Sequence, residues 1–193
     1  MSTLDGRDDD WPIDIEQHQF TIADVCFLSH VEQKAVRNWT YRGIVPVGHR
    51  NPITGRWLFS ARDVVRLSVC HACCIRAPLL SLTDANTIAD IVIAEGERST
   101  EREANRDGRR PNVNVLVAWT DAGELLATTV DMKAEAGRYY PPSRGPDDLD
   151  HPLRRPHLVI PATVLFIDTI LRTKQLLAEN VRRAAAAVEN EDA

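Results

Sequence analysis

The stretch Val31-Glu32-Gln33-Lys34-Ala35-Val36-Arg37-Asn38-Trp39-Thr40-Tyr41-Arg42-Gly43-Ile44-Val45-Pro46 decides the fold. Apolar Val31, Ala35 and Trp39 recur at helical spacing, which predicts a helix over Val31–Arg42 with those three side chains facing inward. Gly43 ends it, because a residue without a Cβ suits the left-handed position after a helix, and Pro46 lies shortly beyond. The other face carries Gln33, Lys34, Arg37, Asn38 and Tyr41, a row rich in hydrogen-bond donors, with Arg42 at its end.

Upstream, Ile22, Val25 and Cys26 recur at helical spacing behind Thr21, with Asp24 three places after it. That is the arrangement of a capped helix start, and Ser29–His30 breaks this short helix from the next. Downstream, residues 47–59 have the turn-rich composition of a small hairpin. His49-Arg50-Asn51-Pro52-Ile53-Thr54-Gly55-Arg56 makes the loop and Trp57-Leu58-Phe59 the returning strand. Ser60, again with an acid three places on at Asp63, caps a third helix that runs to about Ile75 and is limited by Pro78.

Short helix, tight break, second helix, hairpin and third helix is the order of a winged helix-turn-helix. Within it, Arg37-Asn38-Trp39-Thr40-Tyr41-Arg42-Gly43-Ile44-Val45-Pro46 resembles the MerR-superfamily pattern of Arg, one residue, aromatic, three residues, Gly, two aliphatics, Pro. Gly55-Arg56-Trp57-Leu58-Phe59-Ser60-Ala61-Arg62-Asp63 is similar to that family's wing return strand and next helix start, and Thr21-Ile22-Ala23-Asp24-Val25 to the opening of its first helix. The resemblance covers about residues 19–76. It implies binding of double-stranded DNA, with the second helix in the major groove and the wing on the neighbouring backbone.

A groove-entering helix must present polar donors on one face and pack an apolar stripe behind. Gln33, Lys34, Arg37, Asn38 and Tyr41 supply such a face, with Lys34, Arg37 and Asn38 the candidates for base edges. A wing needs a cationic tip, which His49, Arg50, Asn51 and Arg56 provide; Arg42, Arg50 and Arg56 are the candidates for phosphates, which position without reading sequence. Three residues have rival roles: Arg37 as a structural partner of Asp24 or Asp63, Trp39 as core, and Tyr41 as packing on the wing. The chain also departs from the family pattern. His30 stands where the turn usually has Gly, Glu32 where the helix usually has a Ser or Thr cap, and Trp57 where the wing often has Arg, a role open to the adjacent Arg56.

Charge singles out the same segment. The net charge of −5 divides into −5 for residues 1–18, +5 for residues 19–78 and −5 for residues 79–193. A basic module between acidic flanks suits a polyanionic partner. The flank 1–18 reads as a mobile acidic tail with no basic-then-apolar leader, and Leu158–Ile170, broken by Pro161, Thr163 and Asp168, is too short and too polar to span a membrane. A cytoplasmic protein is expected.

Cys70-His71-Ala72-Cys73-Cys74 raises metal and thiol-redox readings, since thiolates three and four places apart share one side of a helix. The simpler reading is a continuation of the apolar Val64–Leu67 stripe, with no metal and no cofactor. MerR-like metal sensors carry effector ligands after the DNA-binding module, whereas no Cys follows Cys74. No phosphate-binding Gly loop, nucleophile elbow or His-x-x-x-His pair occurs, and His151, His157 and the run Asp147, Asp148, Asp150 form no catalytic constellation, so an enzyme is not expected.

The rest, residues 79–193, reads as a helix over Asp84–Arg98, a charged run Glu97–Arg110 that is exposed and partly loop, and a β-hairpin of Val113–Trp119 and Glu124–Val130 turning at Asp121-Ala122-Gly123. A Pro- and Gly-rich loop over 137–156, a short strand His157–Ile160 and a helix from Pro161 through Ala187 complete it. The fold class expected is α+β, a winged helix-turn-helix followed by a helix, a hairpin and a long C-terminal helix. That last helix, with Leu165, Ile167, Ile170, Leu171, Leu177, Ala178 and Val181, either builds a homodimer or covers the sheet of its own subunit. The function expected is a sequence-specific double-stranded DNA-binding transcriptional regulator, with RNA polymerase or a recombinase as candidates for a further contact. Its rivals are an excisionase-like architectural factor acting beside a recombinase, and an adaptor whose winged module binds protein.

Overall fold

The computed structural model describes residues 14–76, 80–104, 113–119, 125–131 and 157–191. The fold is mixed: five α-helices and two small antiparallel sheets among these residues. Helices α1 (Ile22–Ser29) and α2 (Gln33–Tyr41) lead to a hairpin of β1 (His49–Arg50) and β2 (Trp57–Leu58). Helix α3 (Ala61–His71) follows, closed by a single π-helical turn over Ala72–Arg76, and then α4 (Leu82–Ala104). Strands β3 (Val113–Trp119), β4 (Leu125–Asp131) and β5 (His157–Ile160) form a sheet with β3 in the middle, and α5 (Ala162–Glu191) ends the chain.

Local chemistry sets the first boundaries. Thr21 and Asp24 form a reciprocal cap: the Asp24 carboxylate accepts from the Thr21 amide (2.8 Å), and the Asp24 amide donates to the Thr21 hydroxyl. Ser60 and Asp63 repeat the device at the start of α3. Each satisfies donors that the first turn leaves without helical partners. Gly43 takes φ +64° with nothing near its Cβ position, so the backbone angle rather than space demands glycine there.

Helix α2 differs from expectation at its inner face. Val31 is buried but lies ahead of the first helical residue, so the packed stripe is centred on Val36, with Ala35 and Trp39 only half-buried beside it. Residues 14–18 also depart from a mobile tail. Glu16 pairs with Arg62 at 2.8 Å, the Ile15 carbonyl accepts from the Arg62 amide, and Phe20 bridges to Phe59. The remainder of the acidic flank lies outside the described residues, as do the Gly123 turn and the 137–156 loop.

Helix α3 is the hub. Nine of its eleven residues are buried, as befits a helix enclosed on all sides rather than one lying on a surface. Its core joins Phe20, Val25 and Phe59 on one side to Ile88, Val92, Val117, Ile160 and Phe166 on the other, so residues before and after position 78 share one hydrophobic interior. Helix α4 runs through much of the charged segment expected to be partly loop. Glu97 pairs with Arg62 and Arg98 with Glu95, while Glu95 and Ser99 are buried. Ion pairs to α3 and within α4 hold residues that look solvent-bound when read alone.

The first half of α5 covers its own subunit through Ala162, Phe166, Thr169 and Thr173. From Glu179 to Ala187 every residue is exposed. No helix among the described residues is long and apolar enough to cross a membrane.

Candidate nucleic-acid interface

At 3.6 residues per turn, Gln33, Lys34, Arg37, Asn38 and Tyr41 fall within about 140° of the α2 circumference. All five are exposed, as is Arg42 at the helix end, and Val36 lies on the opposite side. Tyr41 is 90% exposed, so packing does not hold it on the hairpin, although it shares with Ile22, Arg37, Thr40, Trp57 and Phe59 a cleft of about 290 Å³ between α2 and β2. Glu32 occupies the α2 cap position without a side-chain bond to the helix. Its negative charge there sits favourably against the positive helix end.

The β1–β2 hairpin carries the other candidate residues. His49, Arg50 and Arg56 are exposed, and the Arg50 Nε donates to the Gly55 carbonyl at 3.1 Å. Asn51 is engaged differently from expectation: its side-chain oxygen accepts from the amides of Ile53 (2.9 Å) and Thr54 (3.0 Å), so it shapes the loop. His18 reaches the hairpin from the N-terminal turn, its ring 5.6 Å from that of His49.

Ion pairing sorts seven basic residues of this segment into two groups. Arg62 is paired to Glu16 and Glu97, and buried Arg66 to Asp90 (2.5 Å) and Asn86 (2.7 Å). Both are turned to structural use in α3. Lys34, Arg37, Arg42, Arg50 and Arg56 are exposed and make no ion pair among the described residues. The proposed partners of Arg37 are taken: Asp24 by its own cap, Asp63 by the Ser60 amide (2.9 Å) and the Gly48 amide (3.1 Å).

That second bond makes Asp63 more than a cap, because it ties the chain entering β1 to the start of α3. Replacing it with Ala strips two backbone amides of their acceptor at a site 7% exposed. Asp63→Ala is therefore expected to cost about 2–3 kcal/mol, read as a lower urea midpoint at unchanged slope, with Asp63→Asn recovering part of the loss.

The tight turn between α1 and α2 has a support that spacing alone does not disclose. His30 adopts φ +59°, a left-handed angle unusual for a residue with a side chain. Arg172 of α5 reaches it: its Nη1 donates to the Leu28 carbonyl at 3.1 Å and lies 3.1 Å from His30 Nε2. A guanidinium only donates, so Nε2 accepts. The turn is closed by a residue distant in sequence.

Cys70 and Cys73 are buried, and Cys26 and Cys74 are half-buried. Burial, then the neighbouring Cys74 and Cys73, push the Cys70 thiol up to about 12, and burial followed by Cys74 pushes Cys73 up to about 11. Thiols so placed stay neutral at ordinary pH. Cys26 is also raised, by burial first and against the opposing effect of Arg37. Among the described residues no three His, Cys, Asp or Glu side chains converge as a metal site. No family model matches this chain, and no curated protein is similar to it.

Proposed function

We propose that the chain is a sequence-specific double-stranded DNA-binding transcriptional regulator, with α1 to α3 and the β1–β2 hairpin acting as a MerR-like winged helix-turn-helix. Helix α2 enters the major groove and the hairpin lies on the adjacent backbone. The observation that carries this reading is the sorting of cations. Those of α3 are neutralised by acids, while Lys34, Arg37, Arg42, Arg50 and Arg56 stand exposed on the two elements that would meet DNA. Phosphates are their natural counter-charges.

The protein acts as a homodimer, since one module contacts a half-site and two linked modules gain affinity. The end of α5, Glu179–Ala187, is exposed along its whole length, which supports it as the contact between copies.

Salt titration of gel shifts tests both statements. Three phosphate contacts, from Arg42, Arg50 and Arg56, predict a loss of about 40-fold per protomer between 50 and 200 mM salt. A chain ending at Leu177 should sediment as a monomer and bind more weakly. Salt-independent retention of a protein partner with no retarded duplex would favour an adaptor, and a truncated chain that remains dimeric would move the interface elsewhere.

A further inference from the structure

The hairpin tip carries an apolar side chain that folding does not use. Ile53 is 92% exposed, although nearby apolar residues such as Val45, Val47 and Phe59 are buried. The loop presenting it is firmly built. Asn51 donates its amide to the Arg56 carbonyl and accepts from the Gly55 amide, both at 2.8 Å, while its side chain holds the amides of Ile53 and Thr54. Gly55 takes φ +67°, and Arg50 braces the turn through its bond to the Gly55 carbonyl. Pro52, directly before Ile53, has its own φ fixed by its ring. The result is a pre-shaped projection with an aliphatic tip and a cation on each side, Arg50 and Arg56.

We propose that Ile53, backed by Pro52, is a minor-groove wedge: it enters between two base pairs and kinks the duplex, while Arg50 and Arg56 hold the flanking phosphates. The inference rests on the DNA-binding reading above but assigns the wing a deforming role that phosphate contact alone does not require. The chemistry fits the minor groove. It is narrow enough to be filled by a hairpin tip, its negative potential draws the two arginines, and partly unstacked bases give the aliphatic side chain the apolar surroundings it lacks in free protein. A rigid loop also means that little order is lost on insertion.

The test uses the full-length chain and a duplex selected by it from a pool of short random sequences, labelled at both ends for energy transfer. Wild type should bend this duplex by on the order of 20–90°. Ile53→Ala should still retard it, with affinity reduced about tenfold and the bend largely lost, whereas Ile53→Leu should keep the bend. Because the side chain is exposed, the melting temperature of each variant should match wild type. A selected duplex that stays straight under wild type, or bends equally under Ile53→Ala, overturns the wedge and leaves the DNA-binding reading standing. If no duplex is retarded even at low salt, both fall.

Discussion

Arg37→Ala is expected to lower affinity for a selected duplex by about 5- to 150-fold, while binding to unrelated duplex changes much less. The basis is position. Arg37 lies on the exposed face of α2, between Gln33 and Tyr41 around the helix, and makes no ion pair among the described residues. A guanidinium there can offer two parallel donors to a guanine edge, an interaction worth about 1–3 kcal/mol of discrimination against the wrong base. Arg42→Ala should behave differently. On the proposed reading it meets a phosphate at the helix end, so its loss should weaken binding evenly across sequences and reduce the salt slope by about one. The melting temperature of Arg37→Ala should match wild type, since neither Asp24 nor Asp63 depends on it. Equal losses on selected and unrelated DNA would assign Arg37 to the backbone instead. Unchanged affinity would remove it from the interface.

The parts of this arrangement that spacing makes legible are those held by near neighbours. Thr21 with Asp24 and Ser60 with Asp63 act across three residues, and both caps form where their spacing predicts. Gly43 ends α2, and the hairpin loop is built from its own Asn51 and Gly55. Contacts between distant segments are illegible by the same logic. The charge balance of residues 19–78 counts Arg62 and Arg66 as available cations, yet their partners Glu97 and Asp90 lie on α4. Nothing local indicates that Arg172 reaches back to Leu28 and His30, or that Asp63 also anchors Gly48. The inner stripe of α2 was displaced from Trp39 toward Val36 because the true helix start falls after Val31, a shift of two residues that periodicity tolerates. The candidate interface is legible in outline because exposed donors on one helix face are a short-range pattern. Its supports are not, since they come from across the core.

A second large effect concerns the place where those supports meet. Gly96→Ala should destabilise the protein, although the same change on an exposed helix usually stabilises by up to about 1 kcal/mol. Gly96 lies within α4 beneath Phe166 of α5, and a Cβ added there would stand 2.1 Å from the ring Cγ and 2.4–2.5 Å from both Cδ atoms. Phe166 is itself buried in the shared core, so the ring cannot simply turn into solvent. The helices must separate, and overpacking of this kind costs about 1–3 kcal/mol or more, which outweighs the helix-propensity gain. For a chain of this length each kcal/mol corresponds to roughly 2–4 °C in Tm, so a clear drop in thermal midpoint is expected. Phe166→Leu in the Gly96→Ala background should recover part of it by removing the clashing ring. The consequence reaches the interface because α5 also carries Arg172, which closes the α1–α2 turn. Separation of α4 and α5 should therefore weaken DNA binding even at temperatures where the variant remains folded. A Gly96→Ala protein with unaltered stability would show that the two helices do not approach so closely, and lowered stability with intact DNA affinity would show that α1 to α3 and the hairpin hold their shape without α5.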